Sequence, residues 1–336
     1  MLVVYGTNQV YSQISIYRKV MFMKKICRKT LGLALGLLMA AQVAWAAEPE
    51  PGVQFLKLDR AAQPVQLPDN FRTAQSPYKK SADDKYPSRE GLDNLRQSGS
   101  SFFSKPEFRE LLKKVPAGDL VVIDLRNESH GYVNDEGISW YSRYKTFNFG
   151  QSAAEIDRRE KSMLETLRMN GRADISILGK DKSIAGQKEE EVKAVQTEEA
   201  FVKSQGVKYY RVPVMDYSAP TPKNVDDFLQ IYKHLPANAW VHVHCEAGVG
   251  RTTIFLSMMD MIKNAGRLSY DEIMTREVLL GGQDVRTSAE TTKDEYKKAH
   301  YPERAEFTRR FYEYARENPD LKVSYTQWTA EHGYRY

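Results

Sequence analysis

The stretch "WVHVHCEAGVGRTTIFLSMMDM" (residues 240–261) changes character twice. Residues 240–244 are short, apolar and rich in strand formers, the pattern of a buried strand. Residues 245–250 contain Gly248 and Gly250 and read as a turn. Residues 251–261 hold neither glycine nor proline and read as a helix. A strand, a glycine loop and a helix in succession turn several backbone N–H groups toward one point at the positive end of the helix. That makes an anion cradle.

Outward from this segment, three more apolar runs read as buried strands: "DLVVIDLR" (119–126), "DISILG" (174–179) and "VKYYRVPV" (207–214). Helical patterns lie between and after them at 152–171, 189–206, 221–236 and 302–318. Strands alternating with helices predict an α/β fold with a mainly parallel sheet flanked by helices.

Cys245 opens the cradle and Arg251 lies six residues on, where the helix begins. The loop N–H groups and the helix dipole are expected to lower the thiol pKa, making Cys245 a nucleophile near neutral pH. Arg251 offers a planar fork of donors for two phosphate oxygens. Gly248 and Gly250 permit close backbone approach. Thr252 is placed to donate its hydroxyl to the sulfur, and His244 to order the loop by hydrogen bonding to backbone carbonyls. The loop residues Glu246, Ala247, Gly248, Val249 and Gly250 would surround the bound phosphate. A phosphate-cleaving cysteine also needs a proton donor for the leaving alkoxide. "VPVMDYSAPTP" (212–222) follows a strand and precedes a helix, so it presents Asp216 on a loop beside the cysteine loop. No cluster of His, Asp or Cys occurs at metal-ligand spacing, and neither metal nor cofactor is expected.

The chain has 336 residues, a net charge of +5 and two cysteines. From Met23, "MKKICRKTLGLALGLLMAAQVAWAAEPE" has a basic start, an apolar run at 31–41 and Ala44-Trp45-Ala46, the order of a signal peptide. Residues 1–22 read as an upstream extension, 23–46 as the signal peptide, and 47–64 as a flexible segment before a catalytic domain at 65–336. Cys27 precedes the apolar run, which argues against a lipoprotein. Residues 1–46 carry six basic and no acidic residues, so removing them takes the net charge from +5 to −1. The basic balance therefore gives no argument for nucleic-acid binding. Export to the periplasm or beyond is expected, with no membrane anchor after cleavage. Cys245 remains as a lone thiol, and no intramolecular disulfide can form.

The loop resembles the signature of the protein tyrosine phosphatase superfamily, and "HCEAGVGRTT" (244–253) resembles that of the bacterial cysteine phytases, the tyrosine-phosphatase-like myo-inositol hexakisphosphate phosphohydrolases. The pair Glu246-Ala247 carries the distinction. "NFR" (70–72), "DLRNESHGY" (124–132), "VQTEEAF" (195–201), "MDYSAPTPKNVDDFL" (215–229) and "YKKAHYPERAEF" (296–307) are similar to the same family. The resemblance implies a phosphatase core with a small partial β-barrel inserted at roughly 127–182. It implies stepwise dephosphorylation of a polyphosphorylated inositol through a cysteinyl-phosphate. It also implies that Arg72, Lys182, Lys297 and Arg304 line the rim, with Asp124 and Tyr217 as further pocket contacts. Tyr217 stands where the family often has His, and Asp181 where a basic or polar residue is common; both bear on regiospecificity. A secreted protein tyrosine or dual-specificity phosphatase, a phosphoinositide phosphatase, a phosphate-binding adaptor and a rhodanese-like sulfur carrier share parts of this pattern.

Overall fold

The computed structural model describes residues 55–81, 83–115 and 119–334. The expected extension and signal peptide, and residues 47–54 of the expected flexible segment, lie outside them. In chain order the strands are β1 (Phe55–Arg60), β2 (Arg72–Thr73), β3 (Gln97–Ser101), β4 (Leu120–Arg126), β5 (His130–Val133), β6 (Glu136–Tyr141), β7 (Arg172–Leu178), β8 (Ile184–Glu191), β9 (Val195–Gln196), β10 (Lys208–Val214) and β11 (Trp240–Cys245). The helices are α1 (Lys105–Leu112), α2 (Ala153–Asn170), α3 (Glu198–Ser204), α4 (Pro222–Lys233), α5 (Gly250–Asn264), α6 (Tyr270–Leu279), α7 (Ser288–Thr291), α8 (Glu295–Glu317) and α9 (Tyr325–Glu331).

A five-stranded sheet in the order β10-β4-β11-β3-β2 carries the core. Its first four strands are parallel, and only β2 runs antiparallel. Both faces are covered, which is why β4 reads as a continuous apolar run. Val121, Ile123 and Leu125 pack into the cluster holding Phe228 of α4, Phe255 of α5 and Phe311 of α8. Leu120 and Val122 pack into the opposite cluster with Phe108 of α1 and Phe201 of α3. Helix α5 is buried almost all round, as a helix central to a core must be. Because β4, β10 and β11 are parallel, their carboxyl ends meet at one edge of the sheet, where α/β folds build ligand sites.

The second sheet has six strands in the order β8-β7-β1-β6-β5-β9 and is open, with β8 and β9 at its ends. It differs from the expected insertion at 127–182. β1 comes from the segment expected to be flexible and sits inside the sheet, parallel to β7 and antiparallel to β6. β8 and β9 come from beyond residue 182. The helix expected over 189–206 is also corrected: only Glu198–Ser204 is helical, begun by Thr197, whose side chain accepts from the Ala200 N–H. The glutamate-rich run before it pairs with β7, Glu189 opposite Asp174 and Glu191 opposite Arg172. Backbone pairing there overrides helix propensity.

Candidate active site

β11 delivers Cys245 to the sheet edge, and the chain turns at Gly248, where φ is +70°. A Cβ at that position would lie 2.3 Å from backbone atoms of Ser100 and Ser101, so the turn requires glycine. Helix α5 then starts with no side-chain cap, leaving its first N–H groups free to face a ligand. Cys245 is buried, and its Sγ accepts a hydrogen bond from the Thr252 hydroxyl at 3.3 Å. Burial alone would raise the thiol pKa. The Arg251 guanidinium and the Thr252 hydroxyl and N–H outweigh it and hold the pKa below that of an ordinary cysteine.

Arg251 is fixed by a residue of the β4–β5 loop. Its Nη1 and Nη2 donate to the two carboxylate oxygens of Glu128 at 2.6 and 2.7 Å, and Nη1 also donates to the Val214 carbonyl at 2.9 Å. This bidentate clamp sets the plane of the guanidinium beside the thiol. Asp216 leaves the end of β10 and turns toward the same point, with Oδ1 3.3 Å from Arg251 Nη2 and Oδ2 2.8 Å from Lys145 Nζ. Burial would raise the Asp216 pKa, but Arg251 and then Lys145 hold it below the ordinary aspartate value.

Lys145 also contacts Glu246 and lies 3.5 Å from Glu128. Glu246 in turn meets Lys57 of β1. Lys182, in the β7–β8 turn, is exposed; burial lowers its pKa, and so do Lys57, Lys145 and Lys297. Lys297 of α8 stands 4.9 Å from the centre of the Tyr217 ring. Tyr217 has φ +67° and lies edge-on to Tyr296 at 6.1 Å. Lys145, Lys182 and Lys297 thus gather beside the phosphate loop, with Lys57 buried behind Glu246.

Four residues are not where they were expected. His244 does not bond backbone carbonyls: its Nε2 is 2.7 Å from Glu198 Oε1, an ion-pair contact in a sealed pocket. Burial lowers its pKa, but Glu198 reverses this and raises it overall. Asp124 is no pocket contact. It is wholly buried and accepts from the Tyr209 hydroxyl at 3.0 Å and the Arg126 N–H at 2.8 Å. Arg72 and Arg304 are not on the rim, being 3% and 2% exposed. Arg72 donates to the Gly248 carbonyl at 2.8 Å and the Thr253 hydroxyl at 3.0 Å, bracing the loop from behind. Arg304 donates to Gln283 at 3.2 Å and lies so close to Gly250 that a Cβ there would be 2.3 Å from its Nη2.

Glu128, Lys145, Lys57 and Glu198 did not emerge from the sequence. Glu128 follows the strand ending at Arg126, and a position just past a strand's carboxyl end was its available signal. Two carboxylate groups have geometry that could hold a metal: Asp124, Glu198 and His244, and Glu128, Asp216 and Glu246. Protein cations already face both. Arg211 Nε is 3.2 Å from Asp124, and Lys145 and Arg251 face the second group.

Residues 123–263 match the PTP-like phytase family, described as inositol hexakisphosphate. The PTP-like phytase of Bdellovibrio bacteriovorus is 33% identical with a TM-score of 0.66, over 83% of this chain and 96% of that one. The PTP-like myo-inositol phosphatase of Mitsuokella multacida, solved with myo-inositol-(1,3,4,5)-tetrakisphosphate, is 37% identical with a TM-score of 0.79. That match covers 84% of this chain and 48% of that one. The effector protein hopD2 of Pseudomonas syringae pv. tomato is 32% identical over 247 residues, 72% of this chain and 53% of that protein. The chain spans about half the length of these last two proteins. It belongs to the PTP-like phytase family, within the cysteine-dependent phosphatase fold that the loop defines.

Proposed function

We propose that this protein is a phosphomonoester hydrolase that removes phosphates stepwise from inositol hexakisphosphate. The observation that carries this reading is the set of lysines beside the cradle: Lys145 meets Glu246 of the phosphate loop, Lys57 is buried behind the same glutamate, and Lys182 has Lys57, Lys145 and Lys297 as neighbouring charges. A single phosphate would be met by Arg251 and the loop N–H groups. Further lysines at the mouth suit a ligand bearing further phosphates.

In the first step the Cys245 thiolate attacks phosphorus in line, forming an S–P bond as the P–O bond to the inositol breaks. Arg251 and the loop N–H groups stabilise the equatorial oxygens, and Asp216 gives its proton to the departing oxygen. In the second step water attacks phosphorus, Asp216 takes a proton from it, and the sulfur leaves with the Thr252 hydroxyl directed at it. The low pKa of Asp216 belongs to the empty cradle. A phosphate dianion competes for Arg251 and adds negative charge beside the carboxylate, and both effects raise the pKa, the direction a general acid needs. Export before action is part of this reading, supported by the N-terminal pattern. No helix among the described residues is long and apolar enough to cross a membrane.

The test is phosphate release from inositol hexakisphosphate, a phosphotyrosine peptide and phosphoinositide vesicles, with Cys245→Ser as control. Preferential release from the hexakisphosphate, lost in Cys245→Ser, is expected. Preference for the peptide would overturn the substrate assignment, and release surviving in Cys245→Ser would overturn the mechanism.

A further inference from the structure

We propose that Lys145 is a positioning residue for the proton donor, a counter-ion that holds Asp216 in the empty cradle and passes to the substrate phosphate when one enters. This rests on the reading of Asp216 as the general acid.

Three observations carry it. The first is where Lys145 lies. Its Nζ meets three carboxylates from three separate elements: Asp216 after β10 at 2.8 Å, Glu128 after β4 at 3.5 Å, and Glu246 of the phosphate loop. A cation with three acidic partners is held by none of them exclusively. Glu128 Oε1 joins it to the phosphate clamp, lying 3.5 Å from Lys145 Nζ and 2.7 Å from Arg251 Nη2, so an anion held by Arg251 is within reach of Lys145.

The second is how it is held. Lys145 has φ +58°, in the left-handed region that a side chain enters only at a cost of about 1 kcal/mol or more. The neighbouring residues impose that turn. The Lys145 N–H donates to the Ser142 carbonyl at 3.1 Å. Tyr144 stacks on Tyr296 of α8 at 4.0 Å and 16°, and Tyr296 stacks on His300 at 4.2 Å. This aromatic clasp fastens the loop after β6 to the helix that bears Lys297, and the strained residue next to the clasp sends its side chain into the cradle.

The third is the electrostatic setting of Asp216. Arg251 reaches it from α5, Lys145 from the loop after β6, and Lys182 from the β7–β8 turn. Glu128 opposes them, as does the Cys245 thiolate. Tyr296 and Arg304 face it from α8. Arg251 is clamped by Glu128 and does not leave, and Lys182 is exposed. Lys145 is the cation whose departure alters Asp216 most. While it stays, the carboxyl is held ionised, the wrong state for donating a proton. When it turns to the phosphate, Asp216 loses its counter-ion as the leaving oxygen arrives.

The experiment is the pH dependence of kcat/KM and of kcat for glycerol 2-phosphate and p-nitrophenyl phosphate. It uses wild type, Lys145→Met, Lys145→Arg, Asp216→Asn and the double variant Lys145→Met/Asp216→Asn. Lys145→Met is expected to move the alkaline limb of kcat/KM for glycerol 2-phosphate upward. One pH unit above the wild-type midpoint it then keeps at least roughly threefold more of its maximum than wild type does. The kcat limb stays in place, because in the complex Lys145 has already left Asp216. Lys145→Arg restores the wild-type limb. The p-nitrophenyl phosphate profile does not move, and in the Asp216→Asn background Lys145→Met shifts nothing. A kcat/KM limb that stays put in Lys145→Met, or that moves equally in kcat, overturns the proposal and leaves Lys145 as a phosphate contact or a structural residue. Failure of the underlying reading has its own signature: Asp216→Asn slows both substrates equally, which removes Asp216 as the acid and Lys145's role with it.

Discussion

Two groups of carboxylates flank the phosphate loop, and they differ in what they can exchange. Beneath it, Asp124, Glu160 and Glu198 face His130, His244 and Arg211, and no side chain of the six is more than 4% exposed. At the mouth, Glu128, Asp216 and Glu246 face Arg251, Lys145 and Lys57, and Asp216, Glu246 and Lys145 are each between 12% and 17% exposed. The lower group is satisfied by its own members and by fixed neighbours such as the Tyr209 hydroxyl and the Arg126 N–H. In the upper group Asp216, Glu246 and Lys145 have water, and under the proposed function a phosphate, as alternatives, while Glu128 and Arg251 stay buried. The same chemistry therefore serves rigidity below the loop and exchange above it. Burial, more than charge, sets the difference.

The largest expected effect lies in the lower group. Glu198→Ala removes the nearest carboxylate, 2.7 Å away, from two buried histidines and is expected to cost about 3–5 kcal/mol of unfolding free energy in urea titration. The pH dependence goes with it. Burial would raise the Glu198 pKa, but His244 and His130 outweigh that and depress it, so its contribution is present above the ordinary glutamate value of 4.5 and fades as pH falls below. His244 is raised above 6.5, so its contribution is present below that value and is lost as pH climbs through the raised one. Wild-type stability relative to Glu198→Ala is expected to be greatest between these limits. A loss under about 1 kcal/mol would put the lower group in the same class as exposed pairs.

Next is Asp216 of the upper group, the acid of the proposed mechanism. Asp216→Asn is expected to lower kcat for an alkyl phosphate by roughly 10²–10⁴ and to affect p-nitrophenyl phosphate far less, because that leaving group hardly needs a proton. Its effect on stability is expected to be small, which sets it apart from Glu198. A smaller change is expected further out. Lys182→Ala/Lys297→Ala is expected to raise KM several-fold for inositol hexakisphosphate, each screened contact contributing roughly 1 kcal/mol, and to leave a monophosphate unaffected. Added salt weakens the wild-type hexakisphosphate reaction in the same selective way. The smallest effect is on folding: the same pair is expected to change unfolding free energy by no more than about 0.5 kcal/mol. A larger change would show that the mouth lysines are structural.

These two groups also mark what the sequence could and could not disclose. β4 and β11 were legible because strands buried on both faces are rich in apolar and β-branched residues, and β10, at the sheet edge, by its Val and Tyr content. β3 was not. Its sequence is QSGSS, yet all five residues are buried. Ser98 takes hydrogen bonds from Trp240 at 2.8 Å and pairs with His242 at 2.9 Å, while Ser100 lies 3.1 Å from the other nitrogen of the same ring. Gly99 leaves room for Thr252, whose Cγ2 would be 2.5 Å from an added Cβ. The strand is polar and small because the loop and the first turn of α5 press on it, a reason that exists only in the folded protein. The cysteine, arginine and aspartate of the site announced themselves because their chemistry depends on local loops. Lys57, Lys145 and Glu198 act across long sequence separations, and no local pattern marks them. Arg72 and Arg304 were recognisable as belonging near the loop, but sequence does not distinguish a brace from a rim.

Cys245 is the sole free thiol among the described residues, and it sits at the bottom of a cradle made for an anion. Its sulfur, with a thiol pKa held below the ordinary cysteine value, is therefore also the group most open to peroxide. Oxidation to the sulfenic acid finds no second cysteine beside it to form a protective disulfide. The oxidised sulfur must condense with a nearby backbone nitrogen, wait for a thiol from solution, or go on to the sulfinic acid, from which small thiols do not recover it. Bound phosphate shields the sulfur and slows this loss. The working life of the protein in an oxidising setting is then governed by how often the cradle is empty.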